Sequence, residues 1–407
     1  MFKRFKYKLL SNVENMKRRD FLKIGVTGAA GLAVGGAAGY LWSQSRIRSL
    51  EDEIKRLEAQ IPLELEDNIN IFNWTYYLNR NRLDKWASDF GLALSYDTYE
   101  SGDELMGVLQ AAYPGASGYD VCVMTDSDVP YAVDQGYFEP LDLSKIPNFD
   151  LVPSDFKDPD YDPDNEHTII YSYGTTGIGW NSDEVSPAVT KWADIFDPDG
   201  AILQNTKYHK KITMMPDTIE SIAAALFYLG LDANSCEADD LEDAKNALIT
   251  QKPYLADYAG TEEFMLGLET GEFYISHGWN GDVGGIVYES SETEIRLEKL
   301  LTNIKYTVPE EGGIAWYDNF AIPKGAPHPE AAHAFINFML RPEIAAINTM
   351  SVKYPFPTGV DYVPKEVAED PLIFTPPELL AKLTRTRAFT TEEREARSAI
   401  WTEVMAA

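Results

Sequence analysis

Aromatic residues, carboxylates or both stand at three points where predicted strands end and at one point inside the predicted strand at 315–322. The groups are Asn73-Trp74-Thr75-Tyr76-Tyr77, Asp217 with Glu220, Trp279-Asn280-Gly281-Asp282, and Trp316-Tyr317-Asp318. A buried carboxylate needs a cationic or hydrogen-bonding partner, because an unpaired buried charge is very costly. Indole and phenol faces cover methylene groups and attract a cation by about 0.5–2 kcal/mol each. This combination favours a site for a flexible cation that carries methylene segments between its amine groups.

Each of these groups also has a purely structural interpretation. A Trp or Tyr near a strand end frequently belongs to the core. Asp217 fits the N-cap of the following helix, and Glu220 then stands at the capping-box position three residues on. Asp318 fits a turn. On pattern alone, the cap is the favoured interpretation of Asp217.

Catalytic and metal-binding motifs are missing from the sequence. The five histidines lie outside any HExxH or CxxC context, and no GxSxG nucleophile elbow is present. The glycine-rich run at 174–179 lacks the P-loop lysine, and a mobile crossing between two lobes explains it better. We therefore expect neither an enzyme nor a cofactor nor a metal site. The histidines are His167, His209, His277, His328 and His333.

The chain of 407 residues has a net charge of −30. Such a surface repels nucleic acid and anionic lipid and attracts cations, although solubility in a salty habitat would explain the bulk charge as well. Two cysteines, Cys122 and Cys236, are too few for a disulfide framework and fall in segments assigned to different lobes. We expect two buried free thiols and no nucleic-acid partner.

The N-terminal segment carries an export signal. Lys17-Arg18-Arg19-Asp20-Phe21-Leu22-Lys23 resembles a twin-arginine motif, and an uncharged run follows at 24–42. This predicts an extracytoplasmic protein, with residues 1–42 either cleaved or kept as a membrane anchor, and with Met1 or Met16 as its start. Residues 43–67, with apolar side chains at helical spacing, are predicted to form an amphipathic stalk or linker.

Farther on, strands and helices alternate. Strands are predicted at 70–74, 92–96, 119–124, 211–215, 271–279 and 315–322, and helices at 79–90, 103–111, 190–196, 221–229 and 329–340. Thr190 fits the cap of the helix at 190–196. Alternation of this kind predicts mostly parallel sheets flanked by helices, with ligands bound at the carboxyl ends of the strands.

At these same residues the chain resembles the bacterial spermidine/putrescine-binding periplasmic proteins. The resemblance runs from about residue 69 to 341, and more loosely to 401. The matching segments include Phe72-Asn73-Trp74-Thr75, Thr98-Tyr99-Glu100-Ser101, Tyr119-Asp120-Val121, Trp192-Ala193-Asp194, Trp279-Asn280-Gly281, Glu311-Gly312-Gly313-Ile314, Ala321-Ile322-Pro323 and Ile336-Asn337-Phe338-Met339, with Tyr354-Pro355 and Pro357 beyond. Each segment is short, but their shared order is specific.

The resemblance implies nine ligand contacts. Trp74, Tyr77, Trp279 and Trp316 match aromatic walls, Asp217, Glu220 and Asp318 match acids that pair with amines, and Thr75 and Thr125 match polar contacts. It therefore favours a ligand role for Asp217 over a cap alone. Three departures leave the preferred ligand length open: Tyr76 replaces an acid, Ser127 replaces an aromatic residue, and no glutamine contact is evident near Thr391.

The resemblance also implies a type II periplasmic-binding-protein fold, in which two α/β lobes enclose a cleft. We expect lobe 1 at 68–174 plus 316–358 and lobe 2 at 175–315 plus 359–407. A polyamine would close the lobes about a hinge, and the closed monomer would dock on an ABC permease with its ATPase. The alternative is a binding protein for another small cationic or organic solute, such as an amino-acid derivative or thiamine.

Overall fold

The computed structural model describes residues 65–75, 77–99, 101–290, 297–380 and 382–407. The predicted twin-arginine motif, the uncharged run after it, both candidate start sites and almost all of the predicted stalk lie outside the described residues. Tyr76 and Glu100 lie outside them as well. Residues 64–407 form one compact unit.

The first part of the chain alternates strands and helices, as predicted. Its elements are β1 (Asn68–Trp74), α1 (Arg80–Phe90), β2 (Ala93–Tyr99), α2 (Gly102–Ala112), β3 (Val121–Thr125) and α3 (Val129–Asp134). Helix α1 begins after Asn79, whose side chain accepts a hydrogen bond from the Arg82 amide. It ends at Gly91, where φ is 73°. Leu83 and Trp86 form its buried face, which fixes α1 against the sheet.

The middle of the chain repeats this alternation. Its elements are β4 (Thr168–Asn181), α4 (Ala193–Phe196), β5 (Ile212–Met214), α5 (Thr218–Leu229), α6 (Ala238–Gln251), β6 (Leu255–Tyr258), α7 (Thr261–Thr270), β7 (Ile275–Trp279) and α8 (Asn280–Val287). Helix α5 begins earlier than predicted because Asp217 caps it. Strand β7 begins later than predicted because Gly271, with φ of 76°, ends α7 instead of opening a strand.

The last part of the chain returns to the sheet and then closes with helices. Its elements are β8 (Tyr288–Ser290), β9 (Leu297–Lys299), β10 (Ile304–Thr307), β11 (Ile314–Ala321), α9 (Pro329–Met339), α10 (Pro342–Val352), α11 (Lys365–Ala368), α12 (Pro377–Leu380), β12 (Thr384–Arg385) and α13 (Thr391–Ala406). The predicted strand at 315–322 and helix at 329–340 are thus β11 and α9. Helix α13 starts with a capping box between Thr390 and Glu393.

The main sheet is mixed: its two outer sets of strands are parallel, as predicted, and its central strands are antiparallel. Its strands follow the order β2-β1-β3-β11-β4-β7-β5-β6. On one side β1 pairs in parallel with β2 and β3, and on the other β5 pairs in parallel with β6 and β7. Between them, β11 and β4 run antiparallel to each other and to their outer neighbours. Apolar runs of this length predict strands but leave their direction open.

The carboxyl ends of the two parallel sets meet at the middle of β4. On one side Thr125, the last residue of β3, pairs with Asp318 of β11, which pairs with Ser172 of β4. On the other side Trp279, the last residue of β7, pairs with Thr176 of β4. Strands β3 and β7 run in opposite directions, and the carboxyl ends of both lie level with the middle of β4. The loops that follow the two strands therefore face a common space.

The short helix α4 is capped differently from the prediction. Trp192, and not Thr190, is its N-cap residue. The Thr190 amide donates to Oδ2 of Asp194, which holds Thr190 outside the helix. The carboxylate of Glu311 accepts hydrogen bonds of 3.0 and 3.1 Å from the Trp192 and Ala193 amides. A side chain distant in sequence therefore supplies the cap.

Both cysteines are free thiols, as predicted, but only Cys122 is buried, and Cys236 is partly exposed. Across the described part of the chain, the helices are too short or too polar to cross a bilayer. Within those residues no group of three or more His, Cys, Asp or Glu side chains is arranged to hold a metal ion. The residue boundaries of the two lobes stay a prediction.

Candidate functional site

A cavity of about 620 Å³ opens where the strand ends meet. All nine ligand-binding residues expected from the sequence line it, and they come from five elements or the loops beside them. They are Trp74, Thr75, Tyr77, Thr125, Asp217, Glu220, Trp279, Trp316 and Asp318. The structure therefore brings together residues that are up to 244 positions apart in sequence, from Trp74 to Asp318. Their contact with a ligand stays a prediction.

Asp318 is a buried carboxylate held by two hydroxyl groups. The phenol of Tyr77 donates to its Oδ2 at 2.5 Å, and the hydroxyl of Thr125 donates to its Oδ1 at 2.9 Å. Thr125 reaches it because the two residues are partners in the β3–β11 ladder. Asp318 is 3% exposed, and this burial raises its pKa to about 6 against the opposing effect of the two hydrogen bonds. The acid is thus fixed in position, and within the described residues it has no cationic partner.

Glu220 forms the second acidic centre, at the start of α5. Its Oε1 accepts hydrogen bonds from the hydroxyl of Thr176 at 3.0 Å and the indole of Trp279 at 3.3 Å. Burial, and then the charge of Asp217, raises its pKa to about 8. The carboxylate is therefore oriented by β4 and β7 while one of its oxygens, Oε2, has no hydrogen-bond partner among the described residues.

Asp217 is the helix cap that its sequence position allowed, and it also lines the cavity. Its Oδ1 accepts a hydrogen bond of 2.9 Å from the Glu220 amide, so it is the N-cap of α5. The same side chain lines the cavity, and burial raises its pKa. Glu220 does not behave as the second half of a capping box, because its carboxylate engages Thr176 and Trp279.

The aromatic walls are packed against further aromatic rings. Trp74 contacts Tyr99 with ring centroids 4.6 Å apart, and Trp316 contacts the edge of Tyr354 at 5.2 Å. Tyr77 also packs on Tyr354, at 5.2 Å. Such contacts restrict the rotamers of the rings, so the walls keep their shape without a ligand.

Two glycines let these walls come close to the backbone. A Cβ at Gly174 in β4 would lie 2.3 Å from the indole of Trp316, and one at Gly281 in α8 would lie 2.3 Å from the ring of Tyr354. No side chain fits at such distances without displacing a ring. Close packing of an aromatic wall, and not only a mobile crossing between lobes, therefore accounts for Gly174.

Several lining residues escaped the sequence-based prediction. Tyr354 donates a hydrogen bond of 2.8 Å to Oδ1 of Asp282, and both line the cavity. Asp282 stood in the Trp279-Asn280-Gly281-Asp282 motif, which was the available signal. Helix α13 and the turn before it supply a further wall that no local pattern indicated. Its lining residues are Phe389, Arg394, Glu395, Arg397, Ser398, Ala399 and Thr402.

The cavity is strongly acidic. Nine carboxylate residues and two arginines are found among the described residues that line it. One of the arginines, Arg394, is already paired with Asp128 at 2.6 Å. The carboxylates are Asp103, Asp126, Asp128, Asp217, Glu220, Glu262, Asp282, Asp318 and Glu395. A site of this charge attracts and pairs with cationic groups and disfavours anions.

A mixed α/β sheet whose strand ends converge on such a cavity defines the class of two-lobe periplasmic binding proteins. The family model described as bacterial extracellular solute-binding protein matches residues 81–375. The chain belongs to this family. The expected fold class is thereby confirmed, and the central strands of its sheet are antiparallel.

Individual relatives agree with this assignment. The putrescine-binding periplasmic protein of Pseudomonas aeruginosa is 30% identical over 346 residues, which cover 83% of this chain and 91% of that protein. The spermidine/putrescine-binding periplasmic protein of Escherichia coli is 30% identical over 77% of this chain and 86% of its own length. A Listeria monocytogenes structure described as a spermidine/putrescine ABC transporter superposes with a TM-score of 0.74 at 26% identity, over 84% of this chain and 99% of that one.

Proposed function

We propose that this protein captures a polyamine, spermidine or putrescine, in the cavity and delivers it to an ABC importer. The observation that carries the proposal is the pair of oriented buried acids, Asp318 and Glu220, in one cavity with the indoles of Trp74, Trp279 and Trp316. The names of the relatives support the same ligand class.

The acids would bind the amine ends and the rings would cover the methylenes. Each ammonium that leaves water needs a charge partner, and Asp318 and Glu220 are carboxylates whose burial already disfavours their charged forms. An ammonium group that enters the cavity favours the ionised form of a nearby carboxyl group. Each ammonium group of the ligand then forms an ion pair with one of the two carboxylates. The indoles add cation–π attraction and exclude water from the methylene chain.

Closure and transport follow from this arrangement. The lining comes from both of the predicted lobes, so a ligand that touches both favours their closed arrangement. The closed monomer would dock on a membrane permease with its ATPase. We further propose export by the twin-arginine-type signal to the periplasm or cell surface, with the N-terminal segment either cleaved or kept as an anchor.

Isothermal titration calorimetry with spermidine and putrescine tests the proposal. 1,4-Butanediol, which has the chain length of putrescine but hydroxyl groups in place of ammonium groups, is the matched control ligand. We expect saturable binding of at least one polyamine and none of the diol. Absence of binding with both polyamines, or binding of thiamine or an amino-acid derivative in their place, contradicts the proposal.

A further inference from the structure

A further carboxylate, Asp126, lines the cavity next to the acidic pair. It follows Thr125 directly, where β3 ends, and its amide donates a hydrogen bond of 2.8 Å to the carbonyl of Tyr317 in β11. Tyr317 is the neighbour of Asp318, so the backbones that carry the two acids are tied together. The Asp126 residue is 3% exposed.

Burial of the Asp126 carboxylate is only partly offset by backbone hydrogen bonds from Tyr317 and Ser127 and by the charge of Arg385. Its Oδ1 is buried and accepts no hydrogen bond from any part of the chain that the structure describes. Among the described residues the nearest cation is Arg385, whose Nη1 lies 4.0 Å from Oδ2 of Asp126. The other end of that guanidinium binds the exposed carboxylate of Asp160 at 2.8 and 3.0 Å. A carboxylate this deeply buried therefore lacks a close, dedicated cation.

Asp126 also shares its electrostatic environment with the two acids proposed to bind the ligand. The charge of Asp318 raises the pKa of Asp126, and the charge of Asp126 contributes to the raised pKa of Glu220. Burial is the largest cause for Asp126 and raises its pKa to about 8. Asp318, Glu220 and Asp126 all line the cavity, whereas Asp217, which also lines it, is already held as the N-cap of α5. A single dication would therefore leave one of the first three carboxyl groups without an ammonium partner.

We infer that Asp126 is the carboxylate for a third ammonium group, so that the cavity selects a triamine such as spermidine over a diamine such as putrescine. The inference rests on the proposed polyamine function and deepens it. When a diamine is bound, the carboxyl group of Asp126 stays protonated, or it is ionised without a cationic partner in a site that excludes water. When a triamine is bound, this carboxyl group ionises and pairs with the third ammonium group. Discrimination of this kind arises because the wrong ligand leaves a buried polar group unsatisfied.

Calorimetric titrations of the wild type, Asp126→Asn and Asp84→Asn with both polyamines test this assignment. Asp84→Asn is the matched control, because Asp84 is an exposed acid of α1 that pairs with Arg80 outside the cavity. We expect Asp126→Asn to weaken spermidine binding at least tenfold and putrescine binding less than threefold. Asp84→Asn should leave both affinities within twofold. The ratio of the two affinities is measured on one protein sample and does not depend on its folded fraction.

A second measurement on the wild type keeps the assignment falsifiable if Asp126→Asn does not fold. Titrations at pH 7 in two buffers of different ionisation enthalpy count the protons released, and spermidine should release more than putrescine. Equal loss of both affinities in Asp126→Asn, an unchanged ratio, or equal proton release overturns the role of Asp126 and leaves the polyamine function intact. A wild type that binds neither polyamine overturns both.

Discussion

The phenol of Tyr77 donates a hydrogen bond of 2.5 Å to Oδ2 of Asp318, which joins an aromatic wall of the cavity to its best-oriented acid. Tyr77 follows β1, whereas Asp318 lies in β11 at the centre of the sheet. The bond therefore ties the loop after the first strand to the middle of the fold. It also leaves the carboxylate of Asp318 in one orientation, so a ligand need not order it on binding.

Asp318→Asn should weaken spermidine binding at least tenfold. The amide keeps the size of the side chain but removes the charge that a buried ammonium requires, and losing one partner of a buried charge pair is strongly unfavourable. Calorimetry checks the affinity, and Asp84→Asn, which removes an exposed acid of α1, is the control. A loss of less than threefold would show that Asp318 does not pair with the ligand.

Tyr77→Phe should weaken binding by about tenfold, because the hydrogen bond lost is one to a charged group. The pKa of Asp318 should rise further, since the hydroxyl of Tyr77 favours its ionised form. The affinity would then reach its plateau at a higher pH than in the wild type. Tyr119→Phe removes a comparable phenol–carboxylate bond to Asp97 at the surface and should change nothing. Equal effects of the two variants would contradict the role of Tyr77.

The thermal stabilisation by spermidine should be larger at pH 8 than at pH 5.5. Burial raises the pKa of Asp318 to about 6 and that of Glu220 to about 8, above the ordinary value of about 4 in an unfolded chain. Between pH 4 and 8 the ligand-free folded protein holds protons that the unfolded chain has lost, so these groups contribute less stability as the pH rises.

An ammonium group pairs with the ionised carboxylates, so its contribution grows over the same pH window. Thermal unfolding with and without saturating spermidine measures the difference at each pH. Glu220→Gln should flatten the rise above pH 6, because it removes the group with the higher pKa. A stabilisation that is equal at both pH values, or larger at pH 5.5, is incompatible with ionisation of these acids on binding.

Gly281→Ala should distort the wall of the cavity that Tyr354 forms. The added methyl group would lie 2.3 Å from the ring of Tyr354 and would push it away from Trp316 and Asp282. We expect a loss of about 1–3 kcal/mol in the free energy of unfolding and at least fivefold weaker spermidine binding. Chemical denaturation and calorimetry measure the two effects.

Gly107→Ala in α2 is the control for that substitution, because a Cβ at Gly107 meets nothing within 4 Å. Replacing a helical glycine in open space should stabilise the protein by about 0.5–1 kcal/mol and leave binding unchanged. If Gly281→Ala behaves like Gly107→Ala, the close contact with Tyr354 is not needed to shape the cavity.

The order of the elements and the core of the site could be predicted from the sequence because both follow local rules. Alternating strands and helices place loops at strand ends, and aromatic residues beside acids marked the loops after β1, β5 and β7. On pattern alone the helix cap was the favoured interpretation of Asp217 and Glu220, and the resemblance to a known family then favoured a ligand role. The predicted cap is confirmed, and the same carboxylate lines the cavity, so its ligand role stays a prediction.

The features that could not be predicted from the sequence depend on contacts between segments that are far apart along the chain. The N-cap of α4 is completed by Glu311, more than a hundred residues downstream, so Thr190 was wrongly favoured. The pairing of Arg394 with Asp128 joins positions 266 residues apart and brings α13 to the cavity. The antiparallel course of β4 and β11 was missed for a similar reason, since strand direction is a tertiary property.

A crystal structure of the protein with spermidine tests the central claim most directly. We predict one ligand in the cavity, with ammonium nitrogens within about 3 Å of the carboxylates of Asp318 and Glu220 and with methylenes against the indole faces. Density for spermidine at another surface, or inside the cavity with its nitrogens remote from both acids, would contradict the account.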